Sequence, residues 1–149
     1  MNRLSTKLLE NINSYNTPER RKILELIQTG AELSQVGDYL NAISCYEKAL
    51  AIDPLDSNVL VNKGDALVNL GKYEEARQCY DKVLEKNPKS SMALYNKSCI
   101  MALQGRTEES LSLLERAISL DSKLIEAAKT EPAFLSLRDF QRFKIILGY

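Results

Sequence analysis

The sequence predicts an all-α fold, an α-solenoid of antiparallel helix pairs, and three observations carry that expectation. Gly37, Gly71 and Gly105 recur every 34 residues, and so do Glu47, Asp81 and Glu115, then Lys48, Lys82 and Arg116, then Leu50, Leu84 and Ile118. A fixed period of this size marks a stacked array whose units are stable only against their neighbours. Each glycine closes one helical pattern, and a second pattern follows it at once with apolar spacings of three, four and seven.

Taken in order, residues 1–16 form an N-terminal segment in which Leu4, Leu8, Leu9 and Ile12 make an apolar stripe, expected as a short capping helix. Thr17-Pro18-Glu19 reads as an N-cap, a proline at the first helical position and an acid in the first turn, so the array starts at residue 17 and runs to 122. Its units span about 23–56, 57–90 and 91–122. In each, a first helix stops at Val36-Gly37, Leu70-Gly71 or Gln104-Gly105, where glycine supplies a left-handed residue.

The second helices carry the stripes Ala42, Ile43, Tyr46, Ala49 and Leu50, then Ala76, Tyr80, Val83 and Leu84, then Leu111, Leu114, Ala117 and Ile118. They end before Asp53-Pro54, Asn87-Pro88 and Asp121-Ser122, the prolines blocking continuation. In 123–149, Leu124, Ile125 and Ala128 suggest another first-type helix broken near Glu131-Pro132. Phe134, Leu137, Phe140, Phe143, Ile146 and Leu147 then suggest a final amphipathic helix.

These columns resemble the tetratricopeptide repeat, whose pattern runs W-x2-L-G-x2-Y, then A-x3-F, then P. Unit one offers Leu26, Gly30, Leu33, Ala42, Tyr46 and Pro54; unit two offers Leu60, Gly64, Leu67, Ala76, Tyr80 and Pro88. Unit three is weaker, with Leu94, Ser98, Met101, Ser110, Leu114 and Ser122. The small residues at 30, 64 and 98 and at 42, 76 and 110 are expected to let paired helices approach closely. The resemblance implies a superhelix whose first helices line a concave face, with residues 123–149 as capping helices that close the last open apolar face.

The resemblance also implies where a partner would sit. The inward columns contain Gln28, Asn62 and Asn96, three amides that can each donate and accept toward an extended peptide backbone. They are either a binding ladder or plain solvated side chains; the concave face is the usual binding face of such arrays. Neighbouring inward positions are Leu24, Asn58 and Met92, Ile27, Val61 and Tyr95, and Ala31, Asp65 and Cys99, with Tyr95 expected as an anchor. Family members that bind Hsp70 or Hsp90 clamp a terminal carboxylate with lysine, asparagine and arginine. The matching positions here are Ile27, Ala31, Asn62, Met92 and Asn96, which lack a cation, so no such clamp is expected.

Composition narrows the function. Hydrophobic residues make up 44% and charged residues 27%, with a net charge of zero, which argues against nucleic acid as a partner. The chain contains no histidine, the commonest general base and metal ligand. Three widely spaced cysteines suit neither a disulfide framework nor a CxxC metal site. Cys45 and Cys79 share a repeat column and read as small hydrophobes, Glu74-Glu75 and Glu108-Glu109 as helix-opening acids, and Arg20-Arg21-Lys22 as a solvated face.

No apolar run reaches the roughly 18 residues that span a bilayer, and the N-terminus lacks the apolar block of a signal peptide. The expectation is a cytoplasmic, non-enzymatic adaptor without cofactor or metal, binding a peptide or protein segment. The alternative is a self-associating scaffold whose exposed end helix makes a homo-oligomer.

Overall fold

The computed structural model describes residues 17–149. The stripe expected at Leu4, Leu8, Leu9 and Ile12 lies outside the described residues. Among the described residues there are helices and no strand: α1 Pro18–Gln35, α2 Tyr39–Ile52, α3 Ser57–Asn69, α4 Tyr73–Lys86, α5 Ser91–Leu103, α6 Thr107–Leu120, α7 Leu124–Thr130, a 3-10 helix Pro132–Leu137, and α8 Gln141–Leu147. Helix α1 pairs with α2, α3 with α4 and α5 with α6, while α2 packs on α3 and α4 on α5. The fold is thus the all-α solenoid that the 34-residue period demands.

Local chemistry sets the helix ends. The Thr17 hydroxyl accepts from the Arg20 amide at 3.1 Å, and Pro18 occupies the first turn. Asp56 caps α3 by accepting from the amides of Asn58 (3.0 Å) and Val59 (3.1 Å). Asp56 is only 6% exposed, and its second oxygen takes the Arg20 guanidinium. Arg20, expected on a solvated face, therefore ties the first turn of one unit to the cap of the next. A buried carboxylate needs such a partner.

Gly37, Gly71 and Gly105 sit at φ of +82°, +72° and +72°. Each turn closes by a 6→1 hydrogen bond, such as Lys72 N–H to the Leu67 carbonyl at 2.9 Å. A Cβ at Gly71 would meet nothing within 4 Å, so the cost of a side chain there is conformational alone. Gly71→Ala should lower stability by about 1–2 kcal/mol, read as a lower denaturant midpoint.

The C-terminal segment departs from expectation in one respect. The apolar series from Phe134 to Leu147 does not make one helix. The Glu131 carboxylate caps the Ala133 amide at 3.0 Å and Pro132 opens a 3-10 helix directly. Three residues per turn bring Phe134 and Leu137 onto the same side, where both are buried. The chain then turns, Phe140 becomes extended at ψ 128° and 45% exposed, and α8 starts afresh to bury Phe143 and Leu147. The 3-10 helix packs on α5, and α7 and α8 pack on α6. Arg142 of α8 reaches Glu108 and Glu115 of α6, both at 2.9 Å.

Candidate functional site

The site begins with two glycines. At Gly30 an added Cβ would lie 2.5 Å from Tyr46 Cε1, and at Gly64 it would lie 2.6 Å from Tyr80 Cε1. In the first two units the tyrosine of the second helix thus occupies the space where the first helix has no side chain. The small-residue column does bring paired helices together, but the ring is what occupies the space. Tyr80 is fully buried, yet its hydroxyl passes α3 and donates to Asp65 Oδ1 at 2.5 Å. Tyr46 places its hydroxyl 3.5 Å from that of Ser34.

Asp65 is the junction of the face made by α1, α3 and α5. Besides Tyr80 from α4, it accepts from Asn96 Nδ2 of α5 at 2.8 Å. It lines a cavity of about 350 Å³ between α3 and α5, together with Asn69, Tyr95, Asn96, Cys99 and Glu131. It also lines a cavity of about 240 Å³ between α1 and α3, together with Ala31, Ser34, Tyr46, Asn62 and Asn69. Asp65 and Asn69 belong to both, so the two cavities join into one groove.

Among the described residues no lysine or arginine lines either cavity. Among the described residues neither Asp65 nor Glu131 forms an ion pair. Burial pushes the Asp65 carboxyl above the ordinary carboxylate range, against the pull of its bonds from Tyr80 and Asn96. Asp65 keeps part of its surface open to the groove, so water tempers that effect. Burial likewise pushes the Tyr80 hydroxyl up, and the Asp65 charge adds to it.

The expected site residues divide. Asn62, Asp65, Tyr95 and Asn96 line the groove. The amide column is not a uniform ladder. Gln28 donates to Glu32 of its own helix at 3.1 Å, Asn96 is held by Asp65, and only Asn62 has no side-chain hydrogen bond among the described residues. Asn58 and Met92 lie exposed in the first turns of α3 and α5 and line neither cavity.

Tyr95, expected as an anchor, lines the groove but offers it little surface. It is 7% exposed, its ring standing edge-on to Phe134 at 5.7 Å between centroids. The 3-10 helix covers it, and its buried hydroxyl has no hydrogen-bond partner among the described residues.

Other groove residues were not singled out from the sequence. Tyr80 was assigned to the core stripe; its hydroxyl could have been foreseen only by pairing it with Gly64. Glu131 is expected only to break a helix, and Asn69, although on an inward column of its repeat, is not among the residues expected at the site. A separate cavity of about 420 Å³ lies at the C-terminal end, lined by Lys129, Arg138, Phe143, Lys144, Leu147 and Tyr149. It involves none of the three repeats.

Burial pushes the Cys99 thiol well above its usual range, with the charges of Glu131 and Asp65 adding to it, so Cys99 stays protonated and poorly nucleophilic. Among the described residues no cluster of ligating side chains could hold a metal ion. None of the described helices is long and apolar enough to cross a membrane.

Comparison with known proteins agrees with this architecture. Two family models, each described as a tetratricopeptide repeat, match residues 33–96 and 93–124. No curated protein matches the sequence. Among solved structures, the chain is similar to the first TPR of Spaghetti (RPAP3) bound to the HSP90 peptide SRMEEVD, at 21% identity and a TM-score of 0.66, covering 85% of this chain and 90% of that one. It is similar to the second TPR domain of human RPAP3 in complex with the HSP70 peptide SGPTIEEVD, at 18% identity and a TM-score of 0.65, covering 86% and 97%. It is also similar to the Yersinia enterocolitica type III secretion chaperone SycD in complex with a peptide of the translocator YopD, at 21% identity and a TM-score of 0.64, covering 82% and 89%. Identities this low establish a shared fold.

Proposed function

The chain is a tetratricopeptide repeat protein, and from that premise we propose that it is a non-enzymatic adaptor holding a peptide or protein segment along the face of α1, α3 and α5. The observation that carries this reading is the continuous groove centred on Asp65, with the free Asn62 amide on one side and the orphaned Tyr95 hydroxyl on the other. Concave sites with a few convergent polar groups on largely apolar walls are where ligands bind. Extended chains need amide partners for their own backbone, and Asn62 offers both a donor and an acceptor.

The partner is not a terminal-carboxylate peptide of the Hsp70 or Hsp90 kind. The peptides bound by the RPAP3 domains carry paired glutamates before a terminal Val-Asp. Such a segment would meet Asp65 and Glu131 here, with no lysine or arginine among the described residues of the groove walls to offset them. Its three free cysteines support a reducing, cytoplasmic setting.

Selection of a displayed random-peptide library on the full chain tests the adaptor reading. A variant carrying Asn62→Ala and Asn96→Ala, matched for helicity, serves as the control. Peptides retained by the native chain and lost on the variant are the expected result. No retained peptide, or equal retention by both, would move the binding surface off this groove.

One observation favours a second reading, self-association through the C-terminal end. Leu135, Phe140 and Ile145 are exposed there while the opposite side of the segment is buried. Sedimentation across a concentration range decides it: a strictly monomeric chain removes that reading.

A further inference from the structure

We propose that the cavity between α3 and α5 is a subsite for one cationic side chain, lysine or arginine, of the bound segment. The inference rests on the groove reading above and specifies its chemistry.

Two carboxylates face this cavity, Asp65 from α3 and Glu131 from the turn before the 3-10 helix, and neither has a cation among the described residues. Their bonds are neutral ones. Asp65 accepts from a hydroxyl and an amide, and Glu131 uses Oε1 to cap the Ala133 backbone. Both charges act on Cys99, so both lie within electrostatic reach of the same point on the cavity wall.

The second, independent observation is Tyr95. It is 7% exposed and lines the cavity, yet its hydroxyl has no hydrogen-bond partner among the described residues. A buried polar group left unpaired is costly, and native folds rarely keep one without a reason. A ligand carbonyl or a bridging water brought in with the segment would satisfy it.

The shape suits a long basic side chain. Val68, Leu103 and Ala133 supply apolar wall for a methylene stem, while the carboxylates take the charged head. A cavity of about 350 Å³ has room for one such side chain. An acidic side chain entering the same space would meet like charge, so the subsite discriminates as well as attracts.

The test uses the full chain and a displayed random-peptide library. Selection runs in parallel on the native chain, on Asp65→Asn, on Glu131→Gln and on the Asn62→Ala, Asn96→Ala variant. Asparagine and glutamine keep the acceptor atoms that Tyr80, Asn96 and the Ala133 amide use, so those folds are retained; circular dichroism melts verify this.

The expected result is a lysine or arginine at one fixed position of the groove-dependent peptides. Replacing it with norleucine should weaken binding to the native chain about tenfold or more, as expected for bonds to a charged group. It should weaken binding to Asp65→Asn far less. Groove-dependent peptides without a basic position, or with a preference unchanged by both substitutions, would overturn this inference and leave the groove reading standing. Absence of any groove-dependent peptide would overturn both.

Discussion

Phe134→Ala is expected to lower stability by about 3–5 kcal/mol, the range for emptying a buried aromatic site. Phe134 is completely buried and touches two other rings, Tyr95 edge-on at 5.7 Å and Phe143 tilted at 5.8 Å. It is a contact through which the 3-10 helix meets the last repeat. An array of this kind depends on its end being closed, because each unit is stable only against a neighbour. Denaturant melts should therefore show an early loss of α5 to α8. The substitution has a second readout. Without Phe134 the Tyr95 ring loses its cover and the Glu131 side of the cavity loses its wall. Binding of any groove-dependent peptide should fall even where the chain remains folded. A denaturant midpoint within experimental error of the native one would refute the capping role.

Gly64→Ala is expected to destabilise by about 1–3 kcal/mol, although alanine is the better helix former by about 1 kcal/mol. Propensity loses because the new Cβ would lie 2.6 Å from Cε1 and 2.7 Å from Cζ of Tyr80. That ring has nowhere to move: it is fully buried and its hydroxyl is tied to Asp65. The repeat columns contain their own control. Gly30 faces Tyr46 and Gly64 faces Tyr80, but Ser98 occurs where the second helix offers Leu114. In unit three the close approach is made by hydrogen bonds, with the Ser110 hydroxyl donating to the Ser98 carbonyl at 2.8 Å. Tyr80→Leu in the Gly64→Ala background should thus cost less than the two changes summed. A double-mutant cycle should show coupling of about 0.5–3 kcal/mol. Strict additivity would mean that the glycine is not there for the ring.

These pairs show what could be read from the chain and what could not. Helix ends were legible because local rules set them: Thr17 caps, and Gly37, Gly71 and Gly105 take positive φ. The stripes through Tyr46 and Tyr80 were legible because a period of 3.6 is a property of one helix. The groove was legible only as a set of columns. Which amide stays free depends on pairs 31 residues apart, such as Asn96 and Asp65.

The column of Tyr95 puts it on the groove but says nothing of its burial. A segment almost forty residues later covers it, and that segment obeys no repeat. Its apolar residues, spaced by three at 134, 137, 140 and 143, fit a 3-10 turn and an α-helix equally well at first. Glu131 and Pro132 decide in favour of the tighter turn, leaving Phe140 outside. Arg20 is a similar case, since only the fold shows that its charge answers Asp56.

The central claim is that the face of α1, α3 and α5 receives the partner. The most direct measurement is amide chemical-shift mapping of the full chain titrated with a library-selected peptide, including the side-chain amides of Asn62, Asn69 and Asn96. The largest changes are expected at those amides and at the backbone of Asp65 and Cys99. Changes confined to α2, α4 and α6, or to the C-terminal cavity at Lys129 and Lys144, would contradict it.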